Sequence, residues 1–309
     1  MASGELVRYR GLVYDSARWR GFDLRPGDIV VTTPPKCGTT WAQMICVLLV
    51  HQRAELGRPL SELSPWLDMT STARRDVVAT LGAQRHRRVI KTHTPLDGLP
   101  IEPGVTYLGV GRDPRDVALS MDNHLDNLDV GAFAAARAEA AAIDGVAIDP
   151  IEPPPPRAAT PEARFWSWVE SDVAPTGVAS SLLRTLRHLQ TCVDPPSGAD
   201  VVLLHYDELR GDLAGQMRGL ADRLGIDVPA GRWPELVRAA TFDEMRARAD
   251  VTAPNANRGA WHDSARFFNR GTSGQWRTLL DAGGLDRYRA RVAAIGTPEA
   301  AGWVHRPPL

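Results

Sequence analysis

Hydrophobic residues along the chain form four short runs that are rich in Val, Ile and Leu, separated by longer amphipathic stretches. Short apolar runs of this kind are typical of strands buried on both faces of a parallel sheet. The predicted strands are Asp28–Val31, Val89–His93, Val105–Arg112 and Asp200–Tyr206. Pro34 and Pro35 end the first strand, because proline has no N–H group to donate to a neighbouring strand.

The longer stretches predict helices that alternate with these strands. One helix is expected from about Thr39 to His51. Another is expected to begin at Pro114 with Asp113 as its N-cap, since both residues are favoured at those positions. The other predicted helices are Leu182–Leu189, Leu213–Leu224, Pro234–Ala240, Phe242–Ala249 and Leu285–Ala294. This alternation predicts an α/β protein with a P-loop-like, central and mainly parallel β-sheet, flanked by helices on both faces.

Two segments do not follow the alternation. Residues 52–84 are expected to form a helical or irregular excursion with Trp66 as a buried aromatic residue. Residues 131–163 change from Ala-rich to Pro-rich sequence and contain few large apolar side chains, which disfavours a second core. We therefore expect residues 1–309 to form a single domain with a mobile lid or surface insertion at about 131–163.

Composition narrows the class of protein. A chain with 43% hydrophobic and 24% charged residues is typical of a soluble globular protein, and its formal net charge of −1 argues against a general nucleic-acid binder. The three cysteines have no metal-ligand spacing and fit a reducing cytosol. The sequence shows no secretory signal and no apolar run long enough to span a bilayer. We expect a cytoplasmic protein.

The segment between the first strand and the first helix predicts an anion-binding site. Gly38 lets the backbone approach a bound group, and Thr39 and Thr40 begin a helix whose free N–H groups and positive dipole end attract anions. Lys36 adds a positive charge. The phosphate-loop pattern G-x-x-x-x-G-K-[ST] is absent, because this lysine precedes the glycine. Taken alone, the segment also fits an ordinary turn before a buried helix.

Polar residues follow two further strands. Lys91 and His93 end the second strand, whereas Arg112 ends the third and Ser120 lies about two turns into the next helix. In parallel sheets, ligands bind beyond the carboxyl ends of the strands. The topology can therefore bring these side chains together with Lys36.

Four motifs, in order, resemble those of the cytosolic-type sulfotransferases, which use 3′-phosphoadenosine-5′-phosphosulfate (PAPS) as donor. They are Pro35–Trp41, Lys91–Pro95, Arg112–Ser120 and Phe267–Trp276. Together they place the resemblance over roughly residues 9–290. The Ala- and Arg-rich composition indicates a bacterial, actinobacterial member.

The resemblance implies a role for each matching residue. His93 is expected to be the general base, Lys36 to stabilise the leaving group and Lys91 to order the transition state. Residues expected to bind PAPS or its product, 3′-phosphoadenosine 5′-phosphate (PAP), are Lys36, Cys37, Gly38, Thr39, Thr40, Trp41, Arg112, Ser120, Tyr206, Thr241, Phe242, Met245, Phe267, Phe268, Arg270 and Gly271. Lysine side chains and backbone N–H groups of the loop can stabilise the negative charge that develops during sulfuryl transfer, so no metal is expected.

Some positions depart from the family pattern. Cys37 replaces a serine. Asn269 replaces an arginine that is expected to contact the 3′-phosphate, and Arg266 or Arg258 could supply that contact instead. Gln275 replaces an aspartate. Because the family's dimer signature is not recognisable near residues 277–286, both a monomer and a homodimer stay open.

The acceptor stays open as well. A small-molecule or lipid-linked hydroxyl is expected, and a phenol, a sterol-like alcohol, a secondary metabolite and a glycolipid all fit. Residues 52–84 and 121–165 are expected to wall its pocket. The alternatives are a nucleoside or nucleotide kinase, against which the missing Gly-Lys-Ser/Thr counts, and a non-catalytic nucleotide-binding protein.

Several polar residues have a simpler interpretation. Arg112 could pair with Asp116, and the basic run Arg85–Arg88 is expected to form a solvated face. His124 and His262 receive no role from the sequence.

Overall fold

A four-stranded parallel β-sheet forms the centre of the protein. A computed structural model describes residues 5–148, 157–177 and 180–305. The strands are β1 (Ile29–Thr32), β2 (Val89–Thr92), β3 (Thr106–Gly111) and β4 (Asp200–His205). Their spatial order is β2-β1-β3-β4, and each neighbouring pair is parallel. The structure confirms the predicted α/β class with its parallel sheet.

Both faces of the sheet are covered. Ile29 and Val31 of β1 pack into one hydrophobic cluster, whereas Val30 between them packs into a second cluster with Trp19 and Tyr107. All three β1 residues are fully buried. Because successive side chains of a strand point to opposite faces, a continuous apolar run is what such a two-sided sheet requires.

Helices and short turns make up most of the remaining described structure. The helices are α1 (Thr39–His51), α2 (Leu60–Leu63), α3 (Arg74–Ala83), α4 (Pro114–Asn127), α5 (Val130–Asp144), α6 (Pro161–Val169), α7 (Leu182–Val193), α8 (Tyr206–Gly211), α9 (Leu213–Leu224), α10 (Trp233–Ala239), α11 (Phe242–Ala247), α12 (Ala249–Thr252), α13 (Ala282–Ile295) and α14 (Pro298–Val304). Single 3₁₀ turns lie at Ser16–Trp19, Leu96–Gly98, Ala230–Arg232, Ala256–Arg258, Ala265–Phe267 and Gln275–Thr278. Within the described ranges, no helix is long and apolar enough to cross a membrane.

Local capping signals confirm several predicted boundaries. Helix α1 begins at Thr39 and ends at His51. The Asp113 carboxylate accepts a hydrogen bond from the backbone N–H of Arg115 at 3.0 Å, and Pro114 is the first residue of α4. The predicted strand ends were less accurate, because His93, Arg112 and Tyr206 each lie just beyond their strands. Tyr206 is instead the first residue of α8.

The predicted Ala/Pro-rich insertion begins with regular structure. Helix α5 covers its first half and buries Phe133 and Arg137. Part of the Pro-rich half, residues 149–156, lies outside the described residues. The mobility of this segment and the single-domain organisation stay predictions.

The basic run before β2 forms only part of the expected solvated face, because Arg85 and His86 are exposed whereas Arg88 is buried. Arg88 is 2% exposed, and its Nε donates to the Asp28 carboxylate at 2.8 Å. Arg87 donates to the carbonyl of Leu224. The prediction fails for Arg88, because β2 begins directly after it and its guanidinium lies beside Asp28, the residue that precedes β1. A paired guanidinium and carboxylate can be buried at tolerable cost.

Candidate active site

The loop between β1 and α1 places the N-terminus of α1 at the wall of a cavity. Lys36 and Gly38 have positive φ values of 67° and 103°. A Cβ atom on Gly38 would lie 3.1 Å from the Tyr206 ring, so the loop needs glycine both for its conformation and for this close approach. Thr39 and Thr40 are the first residues of the 13-residue helix α1, whose free N–H groups favour an anion.

Two lysines lie next to this loop, the partly buried Lys36 and the buried Lys91. Lys36 Nζ lies 4.5 Å from the centroid of the Phe267 ring, and Lys91 Nζ lies 4.1 Å from that of Trp66. The pKa of each lysine is lowered to about 7, chiefly by burial, and the nearby Arg112 contributes to the lowering for Lys36. Among the described residues, neither lysine has a carboxylate at ion-pair distance. They are the only two lysines of the chain.

His93 presents an unprotonated nitrogen to the same cavity. Its Nδ1 lies 2.7 Å from the carbonyl oxygen of Thr33. Since a carbonyl only accepts, Nδ1 carries the proton and Nε2 holds the free lone pair. Burial, followed by the nearby Lys91, holds the pKa of His93 well below its usual value, so the ring is neutral at pH 7. A neutral imidazole with a free nitrogen can accept a proton from a bound hydroxyl.

A buried carboxylate fixes the aromatic ring beside His93 and the β2 lysine. Asp68 accepts hydrogen bonds from the indole N–H of Trp66 and from the hydroxyls of Thr92 and Thr94, each at 2.6 Å. The Trp66 ring in turn lies edge-on to His93, with centroids 4.6 Å apart. Trp66 is only partly buried, because one side of it lines the cavity. Nothing in the sequence pattern indicated this role for Asp68.

Arg184 is a second supporting residue that the sequence analysis missed. It lies on α7, is 1% exposed, and its Nη2 donates to the His93 carbonyl at 2.9 Å. The same nitrogen donates to the hydroxyl of Tyr14, which lines the cavity. The α7 periodicity predicts a helix, but it does not indicate which distant segment the buried guanidinium contacts.

Arg112 connects the loop after β1 to the C-terminal motif, Phe267–Trp276. Its Nη1 donates to the Lys36 carbonyl at 2.9 Å and its Nη2 to the Thr272 carbonyl at 3.2 Å. The guanidinium lies 4.2 Å from the centroid of the Tyr206 ring. Among the described residues, the buried Nε has no hydrogen-bond partner.

Asp116 does not pair with Arg112 as the simpler interpretation suggested. Its carboxylate accepts from the backbone N–H groups of Gly274 at 2.7 Å and Gln275 at 2.9 Å. Helix α4 therefore holds the C-terminal motif against the cavity. Gln275 contributes its backbone here, so the loss of the family's aspartate side chain leaves this contact intact.

Aromatic side chains cover the other end of the loop. The Trp41 indole donates to the carbonyl of Ala240 at 2.8 Å, and its ring lies 5.4 Å from that of Tyr206, edge to face. A Cβ atom on Gly271 would lie 2.7 Å from the Phe242 ring, so this glycine lets the C-terminal motif reach the aromatic wall.

All but two of the predicted site residues line one cavity of about 250 Å³. Cys37 is fully buried beside it, and burial raises the pKa of its thiol to about 12, which suits a position that acts through its backbone. Thr241 instead caps α11, where its hydroxyl accepts from the N–H of Glu244 at 3.3 Å. Asn269 and Arg258 also line the cavity.

The remaining walls are largely apolar. Residues from both segments expected to wall the acceptor pocket take part, together with the lead-in to the first strand. They are Val13, Tyr14, Trp66, Met69, Met121, Leu125, Leu128, Ala132, Phe133 and Ala136. The cavity thus has a cationic side at the sheet edge and an apolar side formed mainly by α4 and α5.

His124 is a polar residue on the apolar side. It lies on α4, and its Nδ1 is 3.5 Å from Lys36 Nζ. Its ring packs against Trp261 and Phe267, with centroids 5.0 and 6.2 Å away. Its spacing of four residues from Ser120 places both on one helix face, and that is the sequence signal which could have identified it.

The fold and the cavity together define a parallel-sheet α/β protein with a loop suited to an anion after its first strand. Residues 26–292 match the sulfotransferase domain family. The chain belongs to this family, which confirms the predicted class of enzyme. A glycolipid sulfotransferase of Mycobacterium bovis is 39% identical, and the match covers 97% of this chain and 94% of that protein. A Mycobacterium tuberculosis glycolipid sulfotransferase is also 39% identical, with the same coverage.

Solved structures show the same fold. A mouse sulfotransferase complexed with PAP has a TM-score of 0.63 at 19% identity, over 92% of this chain and 91% of that one. Retinol dehydratase in complex with androsterone and PAP also has a TM-score of 0.63, at 17% identity, over 91% and 86% of the two chains.

Proposed function

We propose that the protein moves a sulfuryl group from PAPS to a hydroxyl of a glycolipid acceptor. The observation that carries the proposal is that one cavity holds a neutral His93, with its proton on Nδ1, together with two lysines that have no carboxylate partner among the described residues. The relatives named as glycolipid sulfotransferases support the acceptor class. The apolar walls from α4 and α5 suit the lipid part of such an acceptor.

The donor is proposed to lie along the cationic side of the cavity. The loop after β1 receives the 5′-phosphosulfate, because its helix N-terminus and Lys36 favour an anion. Arg112, with a free Nε donor, and Ser120 receive the 3′-phosphate together with Arg270. Trp41, Phe242 and the other aromatic residues surround the adenine.

The transfer is proposed to be an in-line displacement at sulfur. The acceptor oxygen forms a bond to sulfur while the bond between sulfur and the bridging phosphate oxygen breaks, and PAP leaves with that electron pair. The acceptor proton passes to Nε2 of His93. Lys36 balances the charge that grows on the bridging oxygen, and Lys91 balances the charge on the sulfuryl oxygens. The products are a sulfate ester, PAP and a proton.

Ligand-induced stabilisation tests the donor assignment without knowledge of the acceptor. We expect PAP to raise the melting temperature clearly more than 5′-AMP does. A ligand that binds only the folded state adds about 2.7 kcal/mol at one hundred times its dissociation constant. Transfer of radiolabelled sulfate from PAPS to mycobacterial glycolipid extracts then tests the reaction. Stabilisation by ATP with magnesium but not by PAP would contradict the proposal and favour a kinase.

Arg112→Ala is expected to weaken PAP binding about tenfold to a hundredfold, because a charge-assisted contact to the 3′-phosphate is lost. Binding of 5′-AMP, which lacks that phosphate, should change less than threefold. Isothermal titration calorimetry with both ligands measures the difference. Equal losses for the two nucleotides would assign Arg112 to shaping the loop through the Lys36 carbonyl instead.

PAP affinity is expected to fall as the pH rises from 7 to 9. In the free protein the pKa of Lys36 and of Lys91 is about 7, so both lysines lose charge over this range. A bound anion favours the charged form, so affinity is greatest below the free-protein pKa and weakens by up to about tenfold per pH unit for each lysine. Dissociation constants at pH 7, 8 and 9 measure the slope. A constant within twofold across the range would rule out neutral lysines in the free protein.

A further inference from the structure

With Lys36 protonated, the two cavity histidines are held in opposite tautomers. His93 donates from Nδ1 to the Thr33 carbonyl, so its Nε2 is an acceptor. His124 Nδ1 faces Lys36 Nζ at 3.5 Å. When Lys36 is protonated, as it is with an anion bound, its ammonium group only donates. This Nδ1 then accepts, and the proton of the neutral His124 ring lies on Nε2.

Neither Nε2 atom is used by the protein itself. Within the described residues, no group forms a hydrogen bond with Nε2 of His93 or Nε2 of His124, and protein atoms do not enclose either nitrogen. Both rings line the same cavity. The cavity therefore offers one nitrogen that can take a proton and, on the apolar side, one N–H group that can only give a hydrogen bond.

The surroundings of His124 keep this arrangement in place. The ring packs against Trp261 and Phe267, which fixes its plane. Burial and the charge of Lys36 hold the pKa of His124 well below its usual value, so the ring stays neutral. An anionic donor would keep Lys36 protonated and so would keep the proton of His124 on Nε2.

We propose that His124 is an acceptor-binding residue that donates from Nε2 to a second oxygen beside the hydroxyl that His93 deprotonates. This inference rests on the proposed sulfuryl transfer and narrows its acceptor. The site then selects compounds with neighbouring oxygens, such as adjacent hydroxyls of a sugar ring, over lipids with a single hydroxyl. A buried polar group that is left unpaired by the wrong substrate gives such discrimination.

A pair of acceptors with the same alkyl chain tests the inference. Octyl β-glucoside carries neighbouring hydroxyls, whereas 1-octanol carries one. We expect the wild-type protein to have a higher kcat/KM for the glucoside with PAPS as donor. His124→Phe keeps a ring between Trp261 and Phe267 but removes both nitrogens. It should lower kcat/KM for the glucoside at least tenfold and for 1-octanol less than threefold.

Two further variants complete the design. His124→Gln places an amide N–H near the position of Nε2 and should retain most of the preference for the glucoside. His262→Phe changes an exposed histidine outside the cavity and should leave both rates unchanged. Equal losses for both acceptors in His124→Phe, no loss at all, or a wild-type preference for 1-octanol would overturn the role of His124. Absence of transfer to either acceptor by wild-type protein would instead contradict the proposed function.

Discussion

Replacing His93 by alanine is expected to lower the rate of sulfuryl transfer by a factor of about 10²–10⁴, the usual contribution of a positioned general base. The substitution removes Nε2, the free nitrogen that we propose takes the acceptor proton. It leaves the backbone carbonyl that Arg184 contacts at 2.9 Å, so the segment after β2 keeps its position. Single-turnover transfer from radiolabelled PAPS at saturating acceptor measures the chemical step directly.

Donor binding separates a catalytic loss from a folding defect. PAP should bind His93→Ala within about threefold of the wild-type affinity, since the proposed donor contacts come from other residues. His262→Ala is a matched control, because that histidine is exposed and outside the cavity. A transfer rate in His93→Ala that stays within threefold of wild type would exclude His93 as the base.

Lys36→Met is expected to lower kcat at saturating PAPS by about 10²–10³, comparable to the loss of one charge-stabilising donor in other transfer enzymes. Methionine has a similar length and can keep the packing against Phe267, which lies 4.5 Å from the ammonium. It cannot balance the charge on the bridging oxygen as sulfur departs. The loss should therefore appear in kcat rather than only in the apparent affinity for PAPS.

Leaving-group dependence identifies this role more sharply. The effect of Lys36→Met on kcat should be smaller with a donor whose leaving group is a weaker base, because the negative charge on the leaving oxygen then needs less stabilisation by the protein. Lys91→Met serves as a comparison, since that lysine lies beside Trp66 and is assigned to the sulfuryl oxygens. An undiminished kcat in Lys36→Met would contradict the assignment of this lysine to the leaving group.

Local physical signals explain which parts of the fold could be predicted from the sequence. The β1 run Ile29–Thr32 lacks the alternation of apolar and polar residues that marks a strand with one solvent-exposed face, and all four residues are buried. Asp113-Pro114 is a strong signal for the start of a helix. Strand ends were less predictable, because a strand stops where its partner stops. Tyr206 illustrates this, since it continues the apolar run of β4 but begins α8.

The site was predictable only where its residues form contiguous motifs. Lys36, His93 and Arg112 each belong to such a motif, and the structure brings them to one cavity. Arg184 and His124 belong to none. Their positions depend on contacts between segments that are far apart along the chain, and helix periodicity alone does not specify those contacts.

The restriction of lysine to positions 36 and 91 has a practical consequence. Every other basic side chain, apart from histidine, is an arginine, so the side-chain amines of this protein are confined to one cavity. A pKa of about 7 also leaves these amines partly unprotonated, and hence nucleophilic, at neutral pH. Apart from the N-terminal amino group, reagents that acylate amines should therefore modify only the two lysines of this cavity. Occupancy of that cavity can be followed by mass spectrometry as protection of two residues, even before any acceptor is known.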